Sequence, residues 1–419
     1  MINRQKPITL LHSARHHPRW ARHSILGTPR AAWRVWIDTP ATFRAEHLDH
    51  RGNILDTQTI SDPFEPLRWA RKTGSLWAGY VGYEAGRALE ATLDPERDNL
   101  RWPLLQIQQL EDHQTLQAGP LPSMALNPDA PWHADTPKPS RTREQYLDDV
   151  RYIIDAIHQG DLFQANLTHQ LKTPFTGCPR AFYADLATQS PAWYGSLIEL
   201  LAPPEEPQRT LASISPELFL EVDHNRMTTR PIKGTATTSD QHELIHSAKD
   251  AAELNMIVDV LRNDLGRSAA IGTVSVDQSR HIETHPTVAH GVATVTAQLR
   301  PGDTWIDALR LASPGGSITG APKVQAMKRI DQREPEFRGP YCGSIGFFRN
   351  DTCCWNIAIR TAVITQSSQN QQGELRFGVG GGIVADSVPE EEWIETQVKA
   401  RSILTTIGQN RSLATAISR

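Results

Sequence analysis

Cysteine is scarce in this chain: four thiols in 419 residues, at Cys178, Cys342, Cys353 and Cys354. They form no C-x-x-C pair and no zinc-like spacing, which excludes a disulfide framework and a structural zinc site. Cys353 and Cys354 fall in an apolar run and are expected to pack as small apolar side chains. No apolar stretch is long enough to span a bilayer. Met1 to Leu11 lacks the apolar core of a signal peptide. Unpatterned thiols without a leader give a cytoplasmic expectation. Long blocks of one charge are also missing. The net charge of -4 is spread along the chain, so the basic stripe of a nucleic-acid binder is absent. There is no internal repeat.

What is present suffices for a sizeable core, in one large domain or two interleaved ones. Prolines gather between Gly119 and Pro139, at Pro120, Pro122, Pro128, Pro131, Pro137 and Pro139. That stretch reads as a linker or an extended surface crossing. Before it, Ala32 to Thr39 alternates like a strand, and an aromatic run follows at Leu76 to Tyr83.

After it, three helices are expected. Thr142 and Gln145 have capping-box spacing, Tyr146, Val150, Ile153, Ile154 and Ile157 recur with helical period, and Gly160 suits the stop. A second helix is expected from near Asp240 to near Leu265, capped by Asp240 with Glu243 and closed by Gly266. A third is expected from Ser387, paired with Glu390, to about Gly408. Cys354 to Thr365 and Leu375 to Val379 read as strands, and the last ten or so residues as frayed.

Several residues could carry chemistry. Lys233 lies in Arg230-Pro231-Ile232-Lys233-Gly234-Thr235. An amine is a nucleophile only when deprotonated, which burial or a nearby cation promotes. By itself, a lysine before a glycine is usually a surface residue. Glu253 borders an apolar helical face made by Met256, Ile257 and Val260. A carboxylate there needs a cation, and an ordinary ion pair is the plain alternative. Glu392, Glu395 and Lys399 share one face of the third helix. Two carboxylates on one turn can hold a hard cation such as Mg²⁺. An acidic first turn, as at Glu390 and Glu391, also simply suits the helix dipole.

Two glycine runs stand near helix starts. Gly378-Val379-Gly380-Gly381-Gly382 offers bare N–H groups that can form a nest for a carboxylate. Gly315-Gly316-Ser317-Ile318-Thr319-Gly320-Ala321-Pro322-Lys323 is a near miss to a phosphate-binding loop. Ala321 stands where that loop needs lysine, which excludes a nucleotide triphosphatase and leaves a glycine-lined anion pocket. Pro322 suits the first turn of the helix that follows. Arg360 ends an apolar run, and arginine is suited to bidentate carboxylate binding. His290 sits among small residues, where a hydrogen-bonded core role is the commoner one.

In order, the chain carries Gly160-Asp161-Leu162-Phe163-Gln164-Ala165-Asn166-Leu167, Ser215-Pro216-Glu217, Pro231-Ile232-Lys233-Gly234-Thr235, Leu261-Arg262-Asn263-Asp264-Leu265-Gly266-Arg267 and the two glycine runs. This succession resembles the chorismate-utilising enzymes over roughly residues 140 to 405. Leu10-Leu11-His12-Ser13 and Gly82-Tyr83-Glu84-Ala85-Gly86-Arg87 extend the resemblance more weakly to the N-terminal third.

The resemblance implies roles. Glu253 and Glu395 would hold Mg²⁺, with Glu392 close by, against the ring carboxylate of chorismate. Arg360, Tyr341 and the backbone of Gly380, Gly381 and Gly382 would hold the enolpyruvyl carboxylate. Gly234, Thr235, His290, Thr319 and Lys399 would line the ring side. Glu217 would be the general acid–base. Members that aminate ortho to the ring carboxylate usually carry a small residue in place of Lys233. A lysine there is typical of members that place the amine at C4, through lysine attack on C2, on the way to p-aminobenzoate and folate. Members that add water use a lysine where this chain has Gln164, which argues against hydration of the ring.

The implied fold is α/β of the α+β type, with large facing antiparallel sheets and helices outside. An N-terminal region over residues 1–135, a chorismate-binding region over 140–408 and a tail over 409–419 are expected. The N- and C-terminal parts would share sheets. No cysteine lies in a glutaminase-like turn and no second domain follows residue 419, so a glutamine amidotransferase partner is expected to supply ammonia. Ortho-amination, or a non-catalytic regulatory subunit of the same fold, are the alternatives.

Overall fold

The computed structural model describes residues 6–14, 21–39, 41–89, 102–122, 126–237, 241–284 and 288–417. Its frame is one branched antiparallel sheet. The branch point is the 17-residue strand His23–Thr39. One edge of this strand pairs along its length with Leu105–Gln117. The other edge pairs with Thr9–His12 near the start and with Thr42–Asp49 near the end. The chain can branch here because a long, right-twisted strand turns its two ends toward different planes.

Two wings grow from the branch. The first runs from Leu105–Gln117 through Trp77–Val81, Ser344–Arg349, Thr352–Asn356, Leu218–Asp223 and Arg226–Arg230 to Val288–Gln298. Val288–Gln298 carries Ile232–Thr237, the strand of Lys233. The second wing runs from Thr9–His12 through Tyr194–Glu199, Gln208–Ser215, Thr361–Gln366 and Gln372–Ile383 to Gln164–Gly177. Strands such as Trp77–Val81 are buried at every position, because both faces are covered. The outlying strand Ile54–Ile60 is exposed almost throughout.

Each wing has its own core. The first packs Trp77, Phe348, Trp355 and Trp305 with Leu254, Val258 and Leu265 of the helix Ala248–Gly266. The second packs Phe175, Phe182 and Phe377 with Ala400, Ile403 and Ile407 of the helix Pro389–Ile417. Burying side chains of this size contributes roughly 1.5–3 kcal/mol apiece. No helix among the described residues is long and apolar enough to cross a membrane.

The Thr142–Gln145 capping box forms and starts the helix Arg143–His158. Other expectations are corrected. The single helix expected from near Asp240 is two, Gln241–His246 and Ala248–Gly266, because Ser247 interrupts and its hydroxyl caps Asp250 N. Asp240 itself lies outside the described residues. Ser387 does not pair with Glu390; it donates to Glu392 Oε1 at 2.7 Å. The helix it precedes runs on past Gly408 to Ile417. The run from Cys354 to Thr365 is not one strand but is broken between Asn356 and Thr361. Pro322 stands at the N-cap, one position before the helix Lys323–Arg333. The proline-rich stretch is stitched to the second wing: Trp132–Ala134 and Lys138–Pro139 pair with Gln164–Gly177.

A buried arginine ties the wings together. Arg338 Nε and Nη2 donate to Glu334 at 2.8 and 2.7 Å, Nη1 donates to Ile318 O at 2.8 Å, and Nη2 also reaches Asn166 O at 2.6 Å. Glu334 in turn accepts from Thr168 N. Glu84, from the first wing's side, accepts from the backbone N–H groups of Arg338 and Gly339. Tyr83 lies 4.5 Å from the guanidinium, ring centre to carbon. Removing one partner of such a pair leaves a buried charge uncompensated. Arg338→Met is therefore expected to lower the unfolding free energy by about 3–5 kcal/mol, read as a shifted urea midpoint with unchanged slope.

Candidate active site

Two of the chain's passages from one wing to the other lie side by side. One is Pro216-Glu217, between Gln208–Ser215 and Leu218–Asp223; the other is Ile357 to Arg360, between Thr352–Asn356 and Thr361–Gln366. They are laced by Ile357 N to Glu217 O and Ile214 N to Arg360 O, both 3.1 Å, and by Ser215 Oγ to Ile357 O at 2.6 Å. Strand pairing stops here, so the side chains are released from the sheet alternation.

Glu217 is one of them. It is 5 % exposed, and Ser317 Oγ donates to its Oε1 at 2.8 Å. Burial pushes its carboxyl up to about 7, against the opposing pull of the Ser317 hydroxyl and of the charges on Lys233 and Lys399. A carboxyl in that range can both give and take a proton near neutrality. Arg360 is the other. Its backbone is left-handed, with φ 50°, which is uncommon for a non-glycine residue. Burial lowers the guanidinium's pKa, and among the described residues no carboxylate is paired with it. A half-buried guanidinium without an acid beside it is a ready receiver for an anionic ligand.

The wings also meet near their far ends, at the glycine run. Gly380, Gly381 and Gly382 lie on Gln372–Ile383 and pair with Thr168, Leu167 and Asn166. A methyl group on Gly382 would stand 2.4 Å from Gln164 Nε2 and 3.3 Å from Lys233 Nζ. The lysine of the first wing and the glutamine of the second therefore converge on a residue without a side chain. Lys233 itself is half-buried on its strand, next to Gly234, whose φ of 75° and closeness to Asp250 and Leu244 exclude a larger residue.

The acidic helix face approaches from the other side of the same strand. A methyl group on Gly381 would lie 2.9 Å from Glu392 Oε2 and 3.4 Å from Glu395 Oε1. Lys399 Nζ sits 2.5 Å from Glu395 Oε1 and donates to Gly380 O at 2.9 Å. Glu392, Glu395 and Lys399 thus gather at the glycine run. Glu253 is on the separate helix Ala248–Gly266, half-buried. Among the described residues no three metal-ligating side chains form a cluster.

The remaining expected residues fall around this centre. Tyr341 is buried, its ring over Gly378, two residues before Gly380. His290 is buried on Val288–Gln298, in register with Thr235, whose side chain is outside the described set. Thr319 is buried and its hydroxyl donates to Gly315 O at 2.9 Å. The 315–323 run does not form an open phosphate cradle. Gly315 packs on Phe219 and Ile357, Gly316 on Val260 and Asp264, and Lys323 is paired with Asp264 at 2.6 Å. Sequence reasoning missed Ser317. Its only signal was its place between a glycine pair and Thr319, and its contact with Glu217 spans 100 positions.

The glycines can be told apart by experiment. A methyl group on Gly380 would meet the backbone oxygen of Leu167 at 2.2 Å, whereas on Gly382 it meets only side-chain ends. Gly380→Ala is expected to cost about 1–3 kcal/mol of stability through strand displacement. Gly382→Ala should cost much less, since Gln164 and Lys233 can swing aside. Paired thermal melts distinguish the two, and equal losses would contradict this account.

With the geometry in hand, comparison with known proteins is specific. A family model described as chorismate binding enzyme matches residues 20–405. Aminodeoxychorismate synthase component 1 of Escherichia coli is 33% identical over 393 residues, covering 88% of this chain and 82% of that protein. Anthranilate synthase component 1 of Thermus thermophilus is 39% identical over 275 residues, covering 64% of this chain and 57% of that one. The crystal structure of anthranilate synthase component I from Streptococcus pneumoniae superimposes with a TM-score of 0.72 at 26% identity, covering 94% of both chains. The branched sheet, the ordered motifs and these matches agree: the chain belongs to the chorismate binding enzyme family and is a chorismate-utilising enzyme.

Proposed function

We propose that the chain aminates chorismate at C4, giving 4-amino-4-deoxychorismate, with Lys233 as a covalent nucleophile. The observation that carries this reading is a lysine amine set at Gly382, with its charge felt by the buried Glu217, whose carboxyl burial pushes up to about 7. The similarity to proteins named aminodeoxychorismate synthase component 1 supports it.

The proposed chemistry balances on two residues. Neutral Lys233 forms a bond to ring C2, the ring double bonds shift, and the C4 hydroxyl departs with the proton of Glu217 as water. Ammonia then bonds to C4, the double bonds shift back, and the C2–N bond breaks with its electron pair returning to Lys233. The C4 ammonium gives its extra proton to the Glu217 carboxylate, which restores the acid. This divides one difficult displacement into two easier ones. Arg360, Tyr341 and the backbone of Gly380 to Gly382 would hold the enolpyruvyl carboxylate. Gly234, Thr235, His290, Thr319 and Lys399 would line the ring.

Mg²⁺ fits the donor set at Gly381. Glu392 and Glu395 bring two carboxylates to one place, and Mg²⁺ commonly takes one or two with waters completing its shell. Glu253, on the helix Ala248–Gly266, would add a third carboxylate. When bound, the ion neutralises these carboxylates and attracts the ring carboxylate of the substrate. Ammonia would come from a glutamine amidotransferase partner, in keeping with the "component 1" names of the relatives.

Chorismate, Mg²⁺ and ammonium at alkaline pH should yield the 4-amino product by mass spectrometry, and glutamine alone should not. Lys233→Ala should remove that product by at least a hundredfold. An ortho-amino product from the unaltered chain would favour the anthranilate synthase reading, which the Thermus thermophilus relative makes the natural second choice. Glu253→Gln and Glu395→Gln should each cut turnover far more than Glu391→Gln, and excess chelator should abolish it.

The pH dependence has a definite sign. Glu217 is needed protonated for hydroxyl departure, and its carboxyl is raised to about 7. At constant free ammonia and saturating chorismate, turnover should fall as pH rises through about 7. Glu217→Gln should lose that limb together with most of the activity.

A further inference from the structure

The Glu217 carboxyl is held very unevenly. Among the described residues its one side-chain hydrogen bond comes from Ser317 Oγ, at 2.8 Å. The Ser317 turn, by contrast, is pinned on every side. Gly316 abuts Val260 and Asp264 so closely that a methyl group would lie 2.3 Å from Val260 Cγ1. Asp264 is clamped by Lys323, whose Nζ also donates to Ala312 O at 2.8 Å. Ile318 O accepts from the buried Arg338, and Thr319 O accepts from Asn166 N at 2.8 Å. The serine is therefore a fixed point and the glutamate is the part that needs fixing.

We propose that Ser317 is the positioning residue for the proton shuttle: its hydroxyl fixes the orientation of the Glu217 carboxyl and favours its ionised form. The proposal rests on the reading of Glu217 as the acid–base of the amination. The charged groups around this carboxyl are Lys233 from its strand and Lys399 from the helix Pro389–Ile417; behind Ser317 stands Asp264, paired with Lys323. Lys233 and Lys399 pull by charge alone, whereas Ser317 donates a directed hydrogen bond. A donor to the ionised form lowers a carboxyl pKa, so removing it raises one.

The test is the pH–rate profile at constant free ammonia and saturating chorismate. In Ser317→Ala the descending limb should move up by about one pH unit, with the KM for chorismate changed by less than about twofold. Ser317→Thr, which keeps the hydroxyl, should return the limb toward its original place. Ser317→Cys, a near isostere with a weak donor, should fall between them and serves if the alanine variant is unstable in a thermal melt. A limb that stays put in the alanine and cysteine variants, while Glu217→Gln removes it, overturns the role of Ser317 and leaves Glu217 intact. A limb that survives in Glu217→Gln belongs to another group, and then the acid–base assignment falls and this proposal with it.

Discussion

The close approach of two sheet wings at a strand with no side chains governs this molecule. A methyl group on Gly380, Gly381 or Gly382 would collide with the Leu167 backbone oxygen, the Glu392 carboxylate or the Gln164 amide respectively, with Glu395 and Lys233 close beyond. Bulk anywhere along the run would push a wing, a helix or a candidate catalytic residue outward. The wings are joined at the two crossings of Glu217 and Arg360, and locked by the buried Arg338 knot. The joint and the bare backbone are linked electrostatically, since Glu217 at the first feels the charges of Lys233 and Lys399 at the second.

Electrostatics then divides the candidate site. Arg360 is desolvated with no acid paired to it among the described residues, while Lys399 is already engaged by Glu395 and by Gly380 O. An anion entering at the crossings meets the cation whose charge is uncompensated. Around Gly381 the balance reverses, because Glu392 and Glu395 converge there, with Lys399 paired to Glu395. A substrate with two carboxylates, such as chorismate, can be oriented by this asymmetry: one end suits Arg360 directly, the other suits a cation held by the acids.

Much of this was readable from local pattern. The Thr142–Gln145 box is a short-range hydrogen-bond exchange, and it forms as written. The shared face of Glu392, Glu395 and Lys399 follows from helical period alone, and the three do meet. The second helix was misread because Ser247 looks unremarkable inside a helical pattern, yet its hydroxyl outcompetes continuation by capping Asp250 N. The run from Cys354 to Thr365 kept its apolar character through Ile357, Ala358 and Ile359 because the break occurs inside the core, so hydropathy gave no sign of it. The wings themselves were beyond local reading. Thr9–His12 pairs with Tyr194–Glu199, and Trp77–Val81 with Ser344–Arg349. Partners so distant in sequence leave no short-range trace, and the sheet architecture came from family resemblance alone.

Ser317 shows the same division at the level of one side chain. A serine between glycines reads as turn chemistry, and it does sit in a tight turn, Gly316–Ile318. Its consequence lies in what that turn faces. The helix Ala248–Gly266 presses on the turn through Val260 and Asp264, and the same helix carries Glu253 near its other end. The candidate metal ligand and the support of the candidate acid–base are thus parts of one rigid rod. A shift of that helix by a fraction of an ångström would be felt at Glu253 and, through Gly316 and Ser317, at Glu217 together. Packing at Gly316 leaves no slack to absorb such a shift, since interiors this dense transmit strain rather than dissipate it. The candidate metal ligand Glu253 and the candidate acid–base Glu217 are thus mechanically coupled through one helix, although they lie on separate elements of the fold.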